Sequence, residues 1–179
     1  MILQIKQKLE KEDRFTVEMP AYRSRVQILT EALYLPENYE GLLPVSVTAM
    51  PEIDVKVYRI YENNLVPFLR RKTERSYYGE LFKEKSWKTG VKTSAQETLN
   101  LEIGELLKGS PRGLYCIDLK KKGNRYGSST TAYVVRTDLA LSFIGSANQS
   151  EVLVTSLSKN EPVSGVKIQF LSRQNQLLA

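Results

Sequence analysis

The feature that most constrains this chain is a set of short segments in which apolar and polar residues alternate. In the segment 53–59, for example, Ile53, Val55 and Val57 fall on one face, with polar side chains on the other. Alternation of this kind, rich in β-branched and aromatic residues, is typical of half-buried strands. The same pattern predicts strands at Arg14–Glu18, Arg25–Leu29, Pro44–Thr48, Leu114–Leu119, Ala132–Arg136, Leu141–Phe143, Val152–Ser156 and Val166–Phe170.

Residues that favour turns separate these segments, as at Pro51-Glu52 and Lys122-Gly123-Asn124. Many short strands joined by polar turns predict an all-β fold, an antiparallel β-sandwich. Helical spacing is scarce: it occurs in Glu62–Lys72, where Pro67 argues against a regular helix, and in Leu101–Leu107. We predict that the polar segment Thr73–Leu99 is a long, partly irregular excursion across one face of the sandwich.

The strand pattern divides the chain unevenly. Residues 25–138 supply a full set of sandwich strands, whereas residues 1–24 suggest an N-terminal strand or the tail of a preceding domain. A second pattern begins at residue 139 and runs to 179. About 40 residues are too few to close a sandwich of the usual ~100 residues. We therefore expect 139–179 to be the start of a following domain, and the chain to be a piece of a multidomain protein.

The residue types exclude much catalytic chemistry. The chain has no His and one Cys, so it lacks His-based acid–base catalysis and an internal disulfide. It also lacks a D-x-D-x-D calcium loop and both common glycine-rich phosphate loops. Cys116 has no His to activate it and is interpreted as a buried structural thiol. Asp138 is interpreted as a turn-bonding residue and not as a ligand. We predict no catalytic, cofactor-binding or metal-binding residue, and no enzyme activity.

Charge and hydropathy bear on possible partners. The formal net charge is +6, but the basic residues are scattered, with runs only at Arg70–Lys72 and Lys120–Lys122. Such runs are usually solvated strand ends or loops. Trp87, with nearby tyrosines and lysines, could stack on nucleic-acid bases, but we favour a role in closing the sandwich edge. No stretch approaches the ~18 apolar residues of a membrane span. We therefore expect that the protein does not bind nucleic acid and does not insert directly into a membrane.

Several short sequence segments, which occur in the same order as in the family, resemble the N-terminal macroglobulin-like (MG) domains of the bacterial alpha-2-macroglobulin family. The segments are Ala32-Leu33-Tyr34-Leu35-Pro36, Leu43–Val47, Val55–Ile60, Glu62–Leu69, Pro111–Tyr115, Val134–Ser142 and Val152–Val166. The resemblance extends from about Arg25 to the end of the chain. The chain departs from the family at Ala140, where the family more often has Gly. The resemblance implies a fibronectin-III- or Ig-like MG sandwich followed by part of a second one.

The resemblance also implies a function for the longer protein. Members look like protease traps: a bait segment is cut, the MG domains rearrange, and the protease is enclosed. Many members carry a Cys-x-Glu-Gln thioester, but here Cys116 is followed by Ile117-Asp118-Leu119. The chain would then be non-catalytic scaffold with a hinge near Thr137–Leu141. Its partners would be other MG domains of the same protein and, through the longer protein, target proteases. We expect a periplasmic location, with an inner-membrane lipoprotein anchor as one arrangement.

Two other functions stay open from the residues alone. The first is an extracellular β-sandwich adhesin or ligand-binding module that uses the Tyr77–Trp87 segment as its recognition loop. The second is a basic nucleic-acid-binding protein of the cytoplasm, which would bind with a steep dependence on salt.

Overall fold

The protein is represented by a computed structural model that describes residues 22–30, 32–36, 41–71, 75–123, 129–145 and 149–179. The predicted strand Arg14–Glu18 lies outside these residues. The strands of the described part are β1 (Arg25–Ile28), β2 (Ala32–Leu35), β3 (Leu42–Thr48), β4 (Glu52–Ile60), β5 (Gly79–Lys88), β6 (Gln96–Glu102), β7 (Gly113–Lys121), β8 (Ser129–Arg136), β9 (Leu139–Gly145) and β10 (Ser150–Ser156). The helices are a 3-10 turn (Glu62–Asn64), α1 (Leu65–Arg71), α2 (Arg75–Tyr78) and α3 (Ile103–Leu107).

These strands form a sandwich followed by a separate hairpin. Over the described residues, a small sheet has the order β1-β3-β6, and a large sheet has the order β2-β8-β7-β4-β5. In the part of the chain that the structure describes, β9 and β10 form a separate two-stranded sheet, and Thr155 of β10 also makes an isolated bridge with Pro162. The predicted all-β sandwich is thus confirmed, with one added feature: β2 and β8 run parallel, whereas the other described pairs are antiparallel. The division into domains at residues 24 and 138 stays a prediction.

The alternation seen in the sequence corresponds to the core between the two sheets. Val45 and Val47 of the small sheet pack against a layer from the large sheet that includes Val55 and Ile117. Each of these side chains is at most 1% exposed. Burial of such a layer is the main stabilising term for a sandwich, at roughly 25 cal/mol per Å² of apolar surface.

A second, smaller cluster lies on the outer face of the large sheet. It contains Ile60, Phe68 of α1 and Cys116, with Tyr58, Leu65, Tyr78, Leu114 and Tyr133 packed around them. The rings of Phe68 and Tyr133 meet edge to face, with their centroids 5.9 Å apart. Strand β7 is therefore buried on both faces at this point: Tyr115 faces the main core, and Cys116 faces the helices.

Pro67 is compatible with α1 because of where the helix begins. The α-helical segment starts at Leu65, so Pro67 lies in its first turn, where a backbone N–H has no intrahelical partner to lose. The other predicted helix, Leu101–Leu107, is shorter than expected. Its first two residues belong to β6, and α3 occupies only Ile103–Leu107.

The prediction of a long irregular excursion over Thr73–Leu99 is wrong. Most of this segment is α2, the ten-residue strand β5 and the start of β6. Strand β5 pairs with β4 from Glu52↔Lys88 to Ile60↔Gly79, with an irregularity between Val57 and Tyr58. The strand escaped prediction because it lies at the sheet edge and is exposed over nearly its whole length, so it shows no apolar alternation.

The strand predicted at Val166–Phe170 is also wrong. No ladder pairs these residues within the described part of the chain; the nearest bridge is an isolated one between Leu171 and Leu177. Alternation alone does not make a strand, because a strand needs a partner for its backbone groups. No helix among the described residues is long and apolar enough to cross a membrane.

Candidate functional site

The candidate functional site is the connection between the sandwich and the β9–β10 hairpin, which we call the junction. It consists of Thr137 and Asp138, between β8 and β9, and of the turn Leu157–Asn160 that follows β10. The backbone carbonyl of Asp138 accepts a hydrogen bond from the N–H of Leu157 at 2.7 Å. This bond extends the β9–β10 pairing by one step, because Leu139 and Ser156 are the last paired residues of the hairpin.

The Asp138 carboxylate joins both sides of the junction. Its Oδ2 accepts a hydrogen bond from the Ser156 hydroxyl at 2.7 Å, and its Oδ1 accepts one from the backbone N–H of Ser158 at 2.9 Å. Bonds to a charged acceptor are shorter and stronger than neutral ones. The carboxylate therefore does what the sequence predicted: it bonds a turn.

Ser156 organises the rest of the turn. Its side chain is buried, and its hydroxyl oxygen also accepts a hydrogen bond from the N–H of Lys159 at 3.1 Å. The N–H of Asn160 donates to the Ser156 carbonyl at 2.9 Å. Asn160 has φ = 56°, in the left-handed region that Asn tolerates better than most residues. The turn is thus built from residue types suited to it.

These bonds also favour the ionised form of Asp138. The hydrogen bond from Ser156, and after it the bonds from Ser158, lower the pKa of the Asp138 carboxyl below its ordinary value of 3.8, while partial burial opposes them. More distantly, the charge of Arg112 acts in the same direction. Asp138 is therefore ionised near neutral pH, which is the state that accepts both hydrogen bonds.

The sandwich side of the junction is also hydrogen-bonded. The N–H of Thr137 donates to the carbonyl of Leu35 at 3.1 Å, so β2 continues its pairing up to the junction. The Arg136 guanidinium donates to the carbonyl of Leu107, at the end of α3, and to the Ser110 hydroxyl at 2.7 Å. A chain of bonds therefore runs from α3 through the end of β8 to the β10 turn.

The residues that the sequence singled out lie apart from one another. Cys116 is fully buried beneath α1, which agrees with a structural thiol. Trp87 is half-buried on β5 and packs against the main core, as expected of a residue that closes the sandwich edge. Tyr77 is 78% exposed and meets Tyr78 edge to face. Tyr78 packs into the outer cluster with Phe68, so the tyrosines and Trp87 do not form a common stacking surface.

The basic runs have ordinary structural positions. Arg70 and Arg71 end α1, where positive charge is favourable next to the helix carbonyls. Lys122 forms an ion pair with Glu52 at 2.7 Å, and Lys121 donates to the Ser24 hydroxyl at 3.1 Å. Among the described residues, no group of three or more acidic or Cys side chains is placed to hold a metal ion.

Sequence reasoning missed the partners of Asp138. In the sequence, Ser156 and Ser158 look like ordinary residues of a strand and a turn. No local motif predicts that the Arg136 side chain lies beside α3. One signal was available: a run of Ser, Asn and Pro follows the apolar strand, which is typical of a turn with side-chain-to-backbone bonds.

Comparison with protein families matches residues 136–179 to the bacterial alpha-2-macroglobulin MG3 domain. The match therefore contains the whole junction apart from its contacts with β2 and α3. A comparison of the sequence with curated proteins gives no match.

Solved structures resemble most of the chain. Native alpha-2-macroglobulin from Escherichia coli, spanning domains MG0-NIE-MG1, aligns with a TM-score of 0.69 and 20% identity, over 87% of this chain and 53% of that chain. Trypsin-activated alpha-2-macroglobulin from Escherichia coli aligns with a TM-score of 0.70 and 18% identity over 87% of this chain. The Salmonella alpha-2-macroglobulin mutant Y1175G aligns with a TM-score of 0.67 and 19% identity over 91%.

The chain spans only part of these structures: about half of the first, 11% of the trypsin-activated protein and 10% of the Salmonella protein. At these identities the likeness shows the fold. The family model confirms, for residues 136–179, the resemblance to MG domains of the bacterial alpha-2-macroglobulin family found in the sequence. The solved structures show that most of the chain shares the fold of such proteins.

Proposed function

We propose that this chain is non-catalytic scaffold of a bacterial alpha-2-macroglobulin-like protein that traps proteases after cleavage of a bait segment. In this account the inhibitory activity belongs to a longer protein, and the chain contributes one sandwich and the beginning of the next MG domain. We further propose that the longer protein is periplasmic and that its partners are its own MG domains and the proteases that it encloses.

The observation that carries the proposal is the junction. A scaffold that rearranges must transmit force between domains without losing its local structure. Asp138 provides such a connection, because its carboxylate and carbonyl together accept bonds from Ser156, Leu157 and Ser158 while Thr137 is bonded to the sandwich. The likeness to a trypsin-activated relative supports the same assignment.

The main alternative, an adhesin that uses the Tyr77–Trp87 segment as a recognition loop, has weaker support. That segment is α2 followed by β5, and Trp87 is packed against the core instead of being presented to a ligand.

The test uses a longer protein that contains this chain. It is mixed with trypsin, and the remaining activity is measured on a small chromogenic peptide and on a large protein such as casein. Caging predicts that activity on the peptide persists while activity on the protein is lost, because only the small substrate can enter. The isolated chain is the control and is expected to leave both activities unchanged. Equal activity on both substrates in the presence of the longer protein would overturn the proposal and favour a binding module.

A further inference from the structure

The last residues of the chain fold back onto the helical end of the sandwich. Residues 170–178 form a tight hairpin, which we call the terminal hairpin. The N–H of Leu178 donates to the carbonyl of Phe170 at 2.8 Å, and the N–H of Ser172 donates to the carbonyl of Gln176 at 2.8 Å. The Ser172 hydroxyl oxygen accepts further bonds from the N–H groups of Gln174 and Gln176, at 3.2 and 3.1 Å. The hairpin tip is thus a defined local structure.

Two long-range hydrogen bonds attach the tip to the sandwich. Arg70, at the end of α1, donates from Nη1 to the backbone carbonyl of Arg173 at 3.3 Å. In the opposite sense, Asn175 donates from Nδ2 to the backbone carbonyl of Asn63, in the 3-10 turn, at 3.3 Å. The partners are 103 and 112 residues apart in sequence. Together with the junction, they give the segment that follows β8 a second point of attachment.

The two attachments differ in strength. The junction includes a charged acceptor, two bonds shorter than 3.0 Å to that acceptor, and the buried Ser156. The bonds at the hairpin tip are longer and exposed to water. The apolar side chains of the hairpin remain partly exposed, from 45% for Phe170 and Leu171 to 68% for Leu178. Exposed hydrogen bonds compete with water, so the contacts at the hairpin tip break more readily than the bonds of the junction.

We propose that the Arg70–Arg173 and Asn63–Asn175 contacts form a releasable clip and that the junction at Asp138 is the fixed pivot. The N–H of Val163 donates to the carbonyl of Val154 in β10 at 2.9 Å, so the segment that leads to the clip is bonded to the β9–β10 hairpin. When the clip is closed, the hairpin therefore has one orientation relative to the sandwich. When it opens, the hairpin swings about Thr137 and Asp138 while the bonds of the junction persist. The proposal concerns contacts within this chain, so its outcome does not depend on whether the longer protein traps proteases.

Distances between paired spin labels in the full chain test the proposal. Labels are attached at Thr98→Cys, on the exposed side of β6, and at Ser142→Cys, on β9, in a Cys116→Ala background that removes the native thiol. The variant pair Arg70→Ala and Asn175→Gly opens the clip. Gly is chosen because Asn175 has φ = 65°, which Gly adopts freely, so the turn itself is kept. Arg173→Ala is the matched control: it removes a positive charge but leaves the carbonyl that accepts the Arg70 bond.

We expect one narrow distance distribution for the parent and for Arg173→Ala. In the clip variant we expect a severalfold larger fraction of molecules whose label-to-label distance lies outside the parent's main peak. The midpoint temperature of thermal unfolding of the sandwich should not change. A clip variant with the same distribution as the parent would overturn the proposal. So would a parent distribution that is already as broad as that of the clip variant, or equal broadening in Arg173→Ala, since charge and not the bond would then be responsible.

Discussion

The carboxylate of Asp138 lies 2.7 Å from the hydroxyl of Ser156, eighteen residues further along the chain, and this contact closes the base of the β9–β10 hairpin. The same carboxylate accepts the N–H of Ser158. One side chain thus holds together the exit from the sandwich and the end of the next strand pair.

Replacing Asp138 by Asn should loosen the junction while leaving the sandwich intact. The amide keeps the shape of the side chain but has an NH2 group in place of one carboxylate oxygen. In the observed geometry, one of the two bonds, from Ser156 or from Ser158, therefore loses its acceptor. We expect faster amide hydrogen exchange at Leu157 and Ser158 and unchanged exchange in β7. Glu161→Gln is the matched control, since it removes an acidic charge from the same turn region. Equal protection in Asp138→Asn and in the parent would contradict this role.

The junction should also weaken in acid. The folded-state pKa of Asp138 is lowered, so its contribution is fully present above the ordinary carboxyl value of 3.8 and is lost as the pH falls through the lowered folded-state pKa. Glu52, whose pKa is lowered chiefly by its hydrogen bond with Lys122, acts in the same direction elsewhere. The test is therefore the difference in stability between the parent and Asp138→Asn, measured from pH 6 downward. This difference should shrink below about pH 4; a constant difference would be inconsistent with the account.

Phe68→Ala should be strongly destabilising. The ring is fully buried and packs against Tyr133 and Cys116, so its removal leaves a cavity. The expected loss in the free energy of unfolding is about 3–5 kcal/mol. The neighbouring Leu69 is 56% exposed, and Leu69→Ala should change stability by about 0.5 kcal/mol or less. Urea titrations of the two variants give the comparison, and similar losses in both would show that α1 is not packed as described.

Cys116 should react slowly with thiol reagents in the folded protein. The thiol lies on β7, fully buried beneath α1, and becomes accessible to a reagent only when this part of the structure opens. For a protein stable by ~5 kcal/mol or more, labelling should be slowed by roughly a thousandfold or more relative to labelling in denaturant. The rates are compared with a chromogenic disulfide in buffer and in urea. Fast labelling without urea would mean that the outer cluster does not form.

The fold was predictable where one face of a strand is buried and the other is not. In β4 the alternation of Ile53, Val55 and Val57 corresponds directly to the buried face. The same argument failed for β5, because an exposed edge strand has little apolar alternation. It also gave a false strand at Val166–Phe170, since alternation does not reveal whether a pairing partner exists. The parallel β2–β8 pair joins residues about a hundred positions apart and has no local signal.

The site was predictable only in part. The kind of role played by Asp138 follows from its position after the end of a strand, where Asp commonly bonds a turn. Its partners do not follow, because Ser156 and Ser158 meet Asp138 only through the register of the β9–β10 hairpin. The clip could not be predicted from the sequence at all. Arg70 and Asn175 donate to backbone carbonyls, which every residue has, so no residue type indicates the acceptor.

The central claim is that this chain is scaffold whose junction transmits the rearrangement that encloses a protease. It is tested most directly by placing Asp138→Asn in the longer protein and repeating the two-substrate assay with trypsin, with Glu161→Gln as control. We predict that the parent and Glu161→Gln protect the large substrate while sparing hydrolysis of the small peptide, and that Asp138→Asn protects the large substrate less completely. Equal protection by all three proteins, or no size-selective protection by the parent, would contradict the account.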